Sequence, residues 1–274
     1  MFTIEQPRST FSSLLKTAEL IFHVAVRNVR KSNGNAVVGL LMNIGQTVLL
    51  LVMFSVITNL LGSSRASLIR GDKVLNLMSG IFMFMTFNKT MGAVSGADGP
   101  TSSMMLHAPM NTLVAILSAM LGAVYLQILS ASVVLYTYHA VFGPITIRDP
   151  VGAMAMLLLS CVAGAGVGML FRGARPWAPG VIGIVNQVFM RANFIASGKM
   201  FLANNAPARL RMWFDWNPLF HTIDQGRGFI FLNYNPHFTS IEYPVKVALT
   251  CIVIGMMGEH FTSKHMSMSW GAKG

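Results

Sequence analysis

Two basic side chains interrupt long apolar stretches of this sequence. Lys89 lies near the end of one stretch and Arg191 lies inside another, which also contains the amides of Asn186 and Asn193. A cation at the bilayer centre costs about 2.5 to 3.5 kcal/mol, so it generally faces a wet cavity or a partner. The sequence therefore predicts a polar pathway lined by these four residues. Snorkelling of the two cations to lipid headgroups is the simpler alternative.

No motif for nucleotide hydrolysis or metal binding accompanies these residues. A chain that hydrolyses ATP needs a phosphate-binding loop of the form GxxxxGK[ST]. Residues 197–200 read SGKM, without the earlier glycine and without the final hydroxyl. The seven histidines form no HExxH motif. We therefore expect no catalytic residue, cofactor site or metal site in this chain.

The composition predicts that membrane-spanning helices carry the polar residues. Of the 274 residues, 53% are hydrophobic and only 11% are charged, whereas soluble domains average about 25% charged residues. A helix needs roughly 20 apolar residues to cross a hydrocarbon core of about 30 Å. We expect an all-α polytopic membrane protein with six transmembrane helices, at residues 37–61, 74–94, 110–141, 151–171, 177–196 and 243–261.

The segment before the first predicted span has a helical periodicity of its own. Within residues 10–31, apolar side chains recur at the spacing i, i+3, i+4, i+7, and charged side chains including Arg27 and Arg30 occupy the opposite face. This pattern predicts an amphipathic helix that lies in the membrane interface. A surface helix of a soluble domain is the alternative interpretation.

Residues 206–231, between the fifth and sixth predicted spans, are too polar to cross a membrane. Asn205 and Asn217 each stand one or two residues before a proline, a combination that can cap a helix and begin its first turn. We expect short helices at 207–214 and 218–231. Their tryptophans suit a membrane interface, so the helices are expected to re-enter the outer leaflet.

Charge distribution predicts how the chain is oriented. The net charge of +11 is scattered through the loops, which favours headgroups or an acidic cargo over nucleic acid. Lys and Arg divide almost evenly between the two sides of the membrane, but the basic cluster before the first span places both termini in the cytoplasm. The expected organisation is a cytoplasmic segment at 1–36, a six-span domain at 37–262 and a cytoplasmic tail at 263–274.

Two stretches resemble a known transporter family. Residues 196–201 (ASGKMF) are similar to a small-residue SG-x-x-F exit from a fifth span, and residues 217–229 (NPLFHTIDQGRGF) are similar to an NP-L-x-H-x-I/V-E-x-x-R-x-G-F/Y-F signature. Together with the order of the predicted parts, they resemble the permease subunit of the second class of ABC exporters. The resemblance is strongest to permeases that export capsular polysaccharide or O-antigen.

The resemblance implies a homodimeric permease of the bacterial inner membrane that moves an anionic, lipid-linked polysaccharide. Separate ABC subunits would bind ATP and magnesium, and periplasmic and outer-membrane export proteins would be further partners. Coupling to the ATPase is implied for Arg27, Arg30 and the turn 95–109 with Asp98 and His107. An outer gate is implied for six residues: Trp213, Trp216, Asn217, His221, Asp224 and Arg227, of which Asp224 and Arg227 would form an i, i+3 pair.

Other functions fit parts of the sequence. A permease of the same class could export a drug, a lipid or another small molecule. A membrane-embedded enzyme or assembly scaffold would need clustered Asp, Glu or His, but the nine acidic residues are dispersed. An ion-driven secondary transporter is commonly built from internal repeats, and the two halves show no detectable repeat.

Overall fold

The computed structural model describes residues 10–60, 73–97 and 111–265, and their regular elements are all helical. The all-α class is thus confirmed for these residues. The helices are α1 (Thr10–Asn33), α2 (Ala36–Leu60), α3 (Lys73–Ser95), α4 (Thr112–Phe142), α5 (Pro150–Ala174), α6 (Pro179–Ala196), α7 (Ala208–Phe214), α8 (Pro218–Ile230) and α9 (Glu242–His265), with a 3-10 turn at Ala203–Asn205.

Four of these helices are long and apolar enough to cross a membrane. They lie at Ala36–Thr58, Thr112–Phe142, Pro150–Ala174 and Glu242–His265, where the first, third, fourth and sixth spans were predicted. The second and fifth predicted spans are the helices α3 and α6, whose polar residues place them outside this apolar set. The pattern is that of a membrane-embedded, multi-pass protein.

Helix α3 is the central helix of the bundle. It contacts α2, α4, α5 and α8, and almost every side chain from Leu75 to Phe87 is buried. A helix that protein surrounds needs no apolar surface for lipid. Its enclosed position therefore explains how α3 can be less apolar than the long helices α2, α4 and α5.

Helix α5 packs closely against α3 on one side and α9 on the other. A Cβ atom on Gly164 would lie 2.4 Å from the carbonyl oxygen of Phe87 in α3, and one on Gly255 of α9 would lie 2.6 Å from Cβ of Met169. Small residues permit such close approaches, which are a main source of helix association in membranes. These glycines fix α3, α5 and α9 as one packed unit.

A buried ion pair joins α5 to α9. Nη2 of Arg172 lies 3.2 Å from Oε1 of Glu259, and the two side chains are only 4% and 10% exposed. Sequence reasoning overlooked this pair, although Glu259 lies within the predicted span 243–261. The pairing neutralises a carboxylate that hydrocarbon would otherwise disfavour.

The two short helices between α6 and α9 match the sequence prediction closely. Oδ1 of Asn217 accepts a hydrogen bond of 3.0 Å from the backbone N–H of Leu219, and Pro218 occupies the first turn of α8, as predicted. The predicted cap at Asn205 is wrong. Asn205 lies in the 3-10 turn, and α7 begins only at Ala208, behind Pro207 and without a side-chain cap; Asn205 is thus too far from the first turn.

Part of the apolar face of helix α1 is buried against other helices, and part of it is exposed. Val24 and Ala25 are buried in the contact of α1 with α4 and α2. Leu15 and Phe22 on the neighbouring part of the same face are 57% and 58% exposed. The predicted amphipathic helix is therefore present, with only part of its apolar face used for packing.

Candidate functional site

A cavity of about 720 Å³ lies between α1, α2, α3 and α4, and Met190 of α6 is also part of its lining. Small residues such as Gly39, Gly92, Gly96 and Ala119 create its space, because their side chains leave room between the helices. It is bordered by the C-terminal half of α3 and the N-terminal halves of α2 and α4. We call it the Lys89 cavity, after the charged residue in its wall.

Lys89 is the basic residue of this cavity. The side chain is half-buried, and its Nζ donates a hydrogen bond of 2.6 Å to Oε1 of Gln46 in α2. No acidic side chain lines the cavity in the part of the chain that the structure describes. An ammonium group has three donors, so Lys89 can donate to a further ligand. The predicted pathway residue thus faces a real space inside the bundle.

Amide and hydroxyl side chains form the rest of the polar wall. Nδ2 of Asn43 donates to Oε1 of Gln127 at 3.1 Å and to the carbonyl oxygen of Leu126 at 3.3 Å. Nδ2 of Asn28 in α1 donates to Oγ of Ser118 in α4 at 3.4 Å. These bonds tie α1 and α2 to α4, and they fix the width of the Lys89 cavity.

The other predicted pathway residues lie apart from this cavity, on α6. Arg191 is exposed, on the face of α6 that also exposes Ile184 and Val188. Nδ2 of Asn186 donates to Oγ of Ser95 at 3.3 Å, whereas Oδ1 of Asn193 accepts from Nδ2 of Asn217 at 2.7 Å. The structure therefore separates the predicted set into a cavity residue, an exposed cation and two amides that attach α6 to its neighbours.

The predicted gate residues form a buried polar junction. Arg227 is 1% exposed and donates three hydrogen bonds to the connector after α6, to the carbonyl oxygens of Gly198 (3.3 Å), Lys199 (2.6 Å) and Phe201 (2.6 Å). This binding of one guanidinium to three carbonyls holds the connector on α8. We refer to residues 197–203, α8 and the loop 231–241 as the Arg227 junction.

Asp224 satisfies the other side of the Arg227 junction. Its carboxylate accepts hydrogen bonds from the hydroxyl of Tyr234, from Oγ1 of Thr239 at 2.8 Å and from the backbone N–H of Ala203 at 3.3 Å. Burial and then the negative charge of Asp224 raise the pKa of Tyr234, so the phenol keeps its proton and donates. The predicted ion pair between Asp224 and Arg227 is not formed, because each side chain binds other groups.

The remaining gate residues divide between the interior and the surface. His221 is buried, and its Nε2 lies 2.9 Å from the carbonyl oxygen of Asp215, while its Nδ1 accepts from the N–H of Ser240. Trp213 and Trp216 are 75% and 54% exposed. Nε1 of Trp216 donates to the carbonyl oxygen of Trp213 at 2.7 Å, which fixes one ring at the outer surface of the short helices.

Lys199 is a buried basic residue that sequence reasoning missed. It is 1% exposed, and its Nζ lies 3.4 Å, 3.9 Å and 5.2 Å from the ring centroids of Phe194, Phe84 and Phe54. Burial lowers the pKa of Lys199 to about 7. The three rings come from α6, α3 and α2, so no short sequence pattern could have revealed this cage.

The residues predicted to couple to an ATPase are only partly within the described chain. Arg27 and Arg30 are exposed on α1, on the side away from its buried contact with α4. Asp98 and His107 lie outside the described residues. Coupling therefore stays a prediction for all four.

The sequence matches no model of a known protein family and no curated protein. Its function is therefore inferred from the residues and their geometry.

Proposed function

We propose that this chain is the transmembrane permease subunit of an ATP-driven exporter of an anionic, lipid-linked polysaccharide. The observation that carries the proposal is the arrangement of its helices. An amphipathic α1 precedes the apolar helices, and the short pair α7 and α8 stands between α6 and α9. This is the order of parts of the exporter permeases that the sequence resembles.

The proposal includes six spans, with α3 and α6 added to the four apolar helices. Helix α3 is surrounded by protein, which lowers its need for apolar surface. Helix α6 exposes an apolar stripe of Val181, Ile184, Val188 and Ile195, which suits contact with lipid or with a second subunit. In this topology both termini lie in the cytoplasm, α1 lies in the inner face of the bacterial inner membrane, and α7 and α8 re-enter from the outside.

A homodimer would enclose the pathway. Arg191 lies on the exposed stripe of α6, where a second copy could cover it and leave the cation facing the transported chain. Lys89 stands in the cavity on the inner half of the bundle. Two basic residues on one route favour an anionic cargo, because each attracts negative charge at a different depth.

The proposed role assigns ATP hydrolysis to separate subunits. Movement of those subunits would be transmitted through the turn after α3 and through α1, and would shift the helices as rigid bodies. The chain itself then needs positioned cations and a gate, without a catalytic side chain.

Deletion of the gene tests this function in the bacterium that carries it. We expect surface polysaccharide to disappear while polymer accumulates in the cytoplasm, and the wild-type chain should restore export. Arg191→Ala should restore it poorly, whereas Lys246→Ala, at an exposed lysine outside the proposed pathway, should restore it fully. Unchanged surface polysaccharide in the deletion strain would overturn the proposed cargo.

A further inference from the structure

The Lys89 cavity has the composition of a site for an amphiphile. Each of the helices α1 to α4 contributes to the polar part of the lining, which includes Asn28, Asn43, Lys89 and Ser118, and much of the remaining lining consists of apolar or small residues. A ligand with a charged head and an apolar tail matches both parts. A purely polar ligand would leave the apolar wall without a partner.

The charge of the cavity selects an anion. Lys89 contributes a positive charge, and no acidic residue lines the cavity in the described part of the chain. Gln46 occupies one donor of the ammonium and supplies no opposing charge. Phosphate oxygens are strong acceptors for an ammonium group. Asn28 donates one amide hydrogen to Ser118, and its second amide hydrogen can donate to the same phosphate oxygens.

Helix α1 connects the cavity to the membrane surface. Val24, Asn28 and Val29 of α1 form one of its walls. The neighbouring face of α1 exposes Phe22 and Val26, which suits contact with lipid at the interface. An amphiphile in the inner leaflet therefore lies beside a wall of the cavity, and its headgroup can reach Lys89 while its tail stays apolar.

We propose that the Lys89 cavity binds the phosphate group of an anionic amphiphile, with Lys89 as the charged contact. This inference rests on the proposed function and deepens it, because it names the chemical class recognised at the inner end of the route. The amphiphile is a membrane lipid with a phosphate headgroup, and a soluble phosphate compound is the other source of the same headgroup chemistry.

Binding by the purified full-length chain in a neutral detergent tests the inference. Calorimetric titration would compare dihexanoyl phosphatidic acid, dihexanoyl phosphatidylcholine with the same tails but no net charge, and inorganic phosphate. We expect the phosphatidic acid to bind most tightly. Lys89→Gln should weaken its binding about tenfold or more, the loss of one charge-assisted contact, and Lys89→Arg should keep most of it.

A second variant tests the need for the volume of the Lys89 cavity independently of the charge of Lys89. A Cβ atom on Gly92 would contact only Cε of Met190, at 3.8 Å, so Gly92→Leu should fill the cavity without disturbing the backbone. Leucine also favours a helix more than glycine does. We expect Gly92→Leu to lose binding as Lys89→Gln does. Lys246→Gln, at an exposed lysine paired with Glu242, is the matched control and should bind as the wild type.

The outcomes separate the two sources and the two proposals. Inorganic phosphate that binds as tightly as phosphatidic acid would overturn the amphiphile, because the apolar tail would then contribute nothing and the ligand would be a soluble phosphate. Equal binding of both lipids, unaffected by Lys89→Gln and Gly92→Leu, would overturn the inference. Because this assay needs no ATPase and no cargo, intact binding with normal surface polysaccharide in the deletion strain would overturn the proposed function alone.

Discussion

The Lys89 cavity and the Arg227 junction both hold a cation inside the helix bundle, but they satisfy it differently. Arg227 is 1% exposed and binds three carbonyl oxygens of its own chain. Lys89 is half-buried in the wall of its cavity and binds one neutral side chain. A cation saturated by its own chain holds the fold together, whereas one with donors to spare is available to a ligand.

The largest effect on stability is expected when a substitution breaks the Arg227 junction. Arg227→Met would leave the carbonyl oxygens of Gly198, Lys199 and Phe201 without their buried donor, and should lower the free energy of unfolding by about 3 kcal/mol or more. Thermal unfolding of the purified chain in detergent measures this loss. Arg227→Lys keeps the charge but cannot reach three acceptors together, so it should recover only part of the stability. An unchanged unfolding midpoint in Arg227→Met would contradict the structural role.

The next effect comes from the close approach of the connector to α3. A Cβ atom on Gly80 would lie 2.9 Å from both Nη2 of Arg227 and the carbonyl oxygen of Lys199. Gly80→Ala should therefore destabilise the protein by about 1 to 3 kcal/mol, as overpacking does. Gly45→Ala is the matched control, because a Cβ there meets nothing within 4 Å, and it should be neutral or slightly stabilising. Equal midpoints for the two variants would contradict this packing.

A pH titration sharpens the comparison at Lys199. Burial lowers the pKa of Lys199 from 10.5 to about 7, so between these values the unfolded chain binds a proton that the folded chain has released. Stability should rise with pH across this window, by at most about 1.4 kcal/mol per pH unit. Unfolding midpoints at pH 7 to 9 measure the slope. The part of the slope that Lys199 contributes should vanish in Lys199→Met. An identical slope in the wild type and in this variant would contradict the lowered pKa of Lys199.

The smallest effect on stability is expected at Lys89. Lys89→Gln removes one hydrogen bond of a half-buried group, which should change the free energy of unfolding by less than about 1 kcal/mol. Surface polysaccharide should nevertheless fall when this variant replaces the wild type, since the proposed function places this cation on the route of the cargo. Unfolding and export measured on the same variant check both parts. A stability loss as large as that of Arg227→Met would remove the difference between the two regions.

The helices could be predicted from the sequence to within a few residues, because their signals are local. The predicted helices 207–214 and 218–231 became Ala208–Phe214 and Pro218–Ile230, since Asn217, Pro218 and the flanking prolines act on the adjacent backbone. The predicted capping role of Asn205 was wrong, because a cap must lie next to the first turn of its helix. Asn205 is the last residue of a 3-10 turn that has no clear sequence signal, and Ala206 and Pro207 separate it from α7.

The candidate site was predicted less well, because its geometry is not local. The residues grouped on α6 were expected to line one wall, but helical geometry directs Asn186 and Asn193 towards neighbouring helices and Arg191 away from them. The i, i+3 spacing of Asp224 and Arg227 placed them on one helix face. It could not show that the loop and the connector supply better partners for both.

The sequence by itself determined that this is a helical, membrane-embedded chain with an amphipathic first helix, because composition and periodicity act over one or two turns. Only the tertiary structure decided which of its basic side chains are enclosed and which residues surround them. Lys199 meets Phe84 and Phe54 across more than a hundred residues, and Lys89 faces a cavity made by four helices. Burial and partners arise from packing between distant segments, so they exist only once the helices have come together.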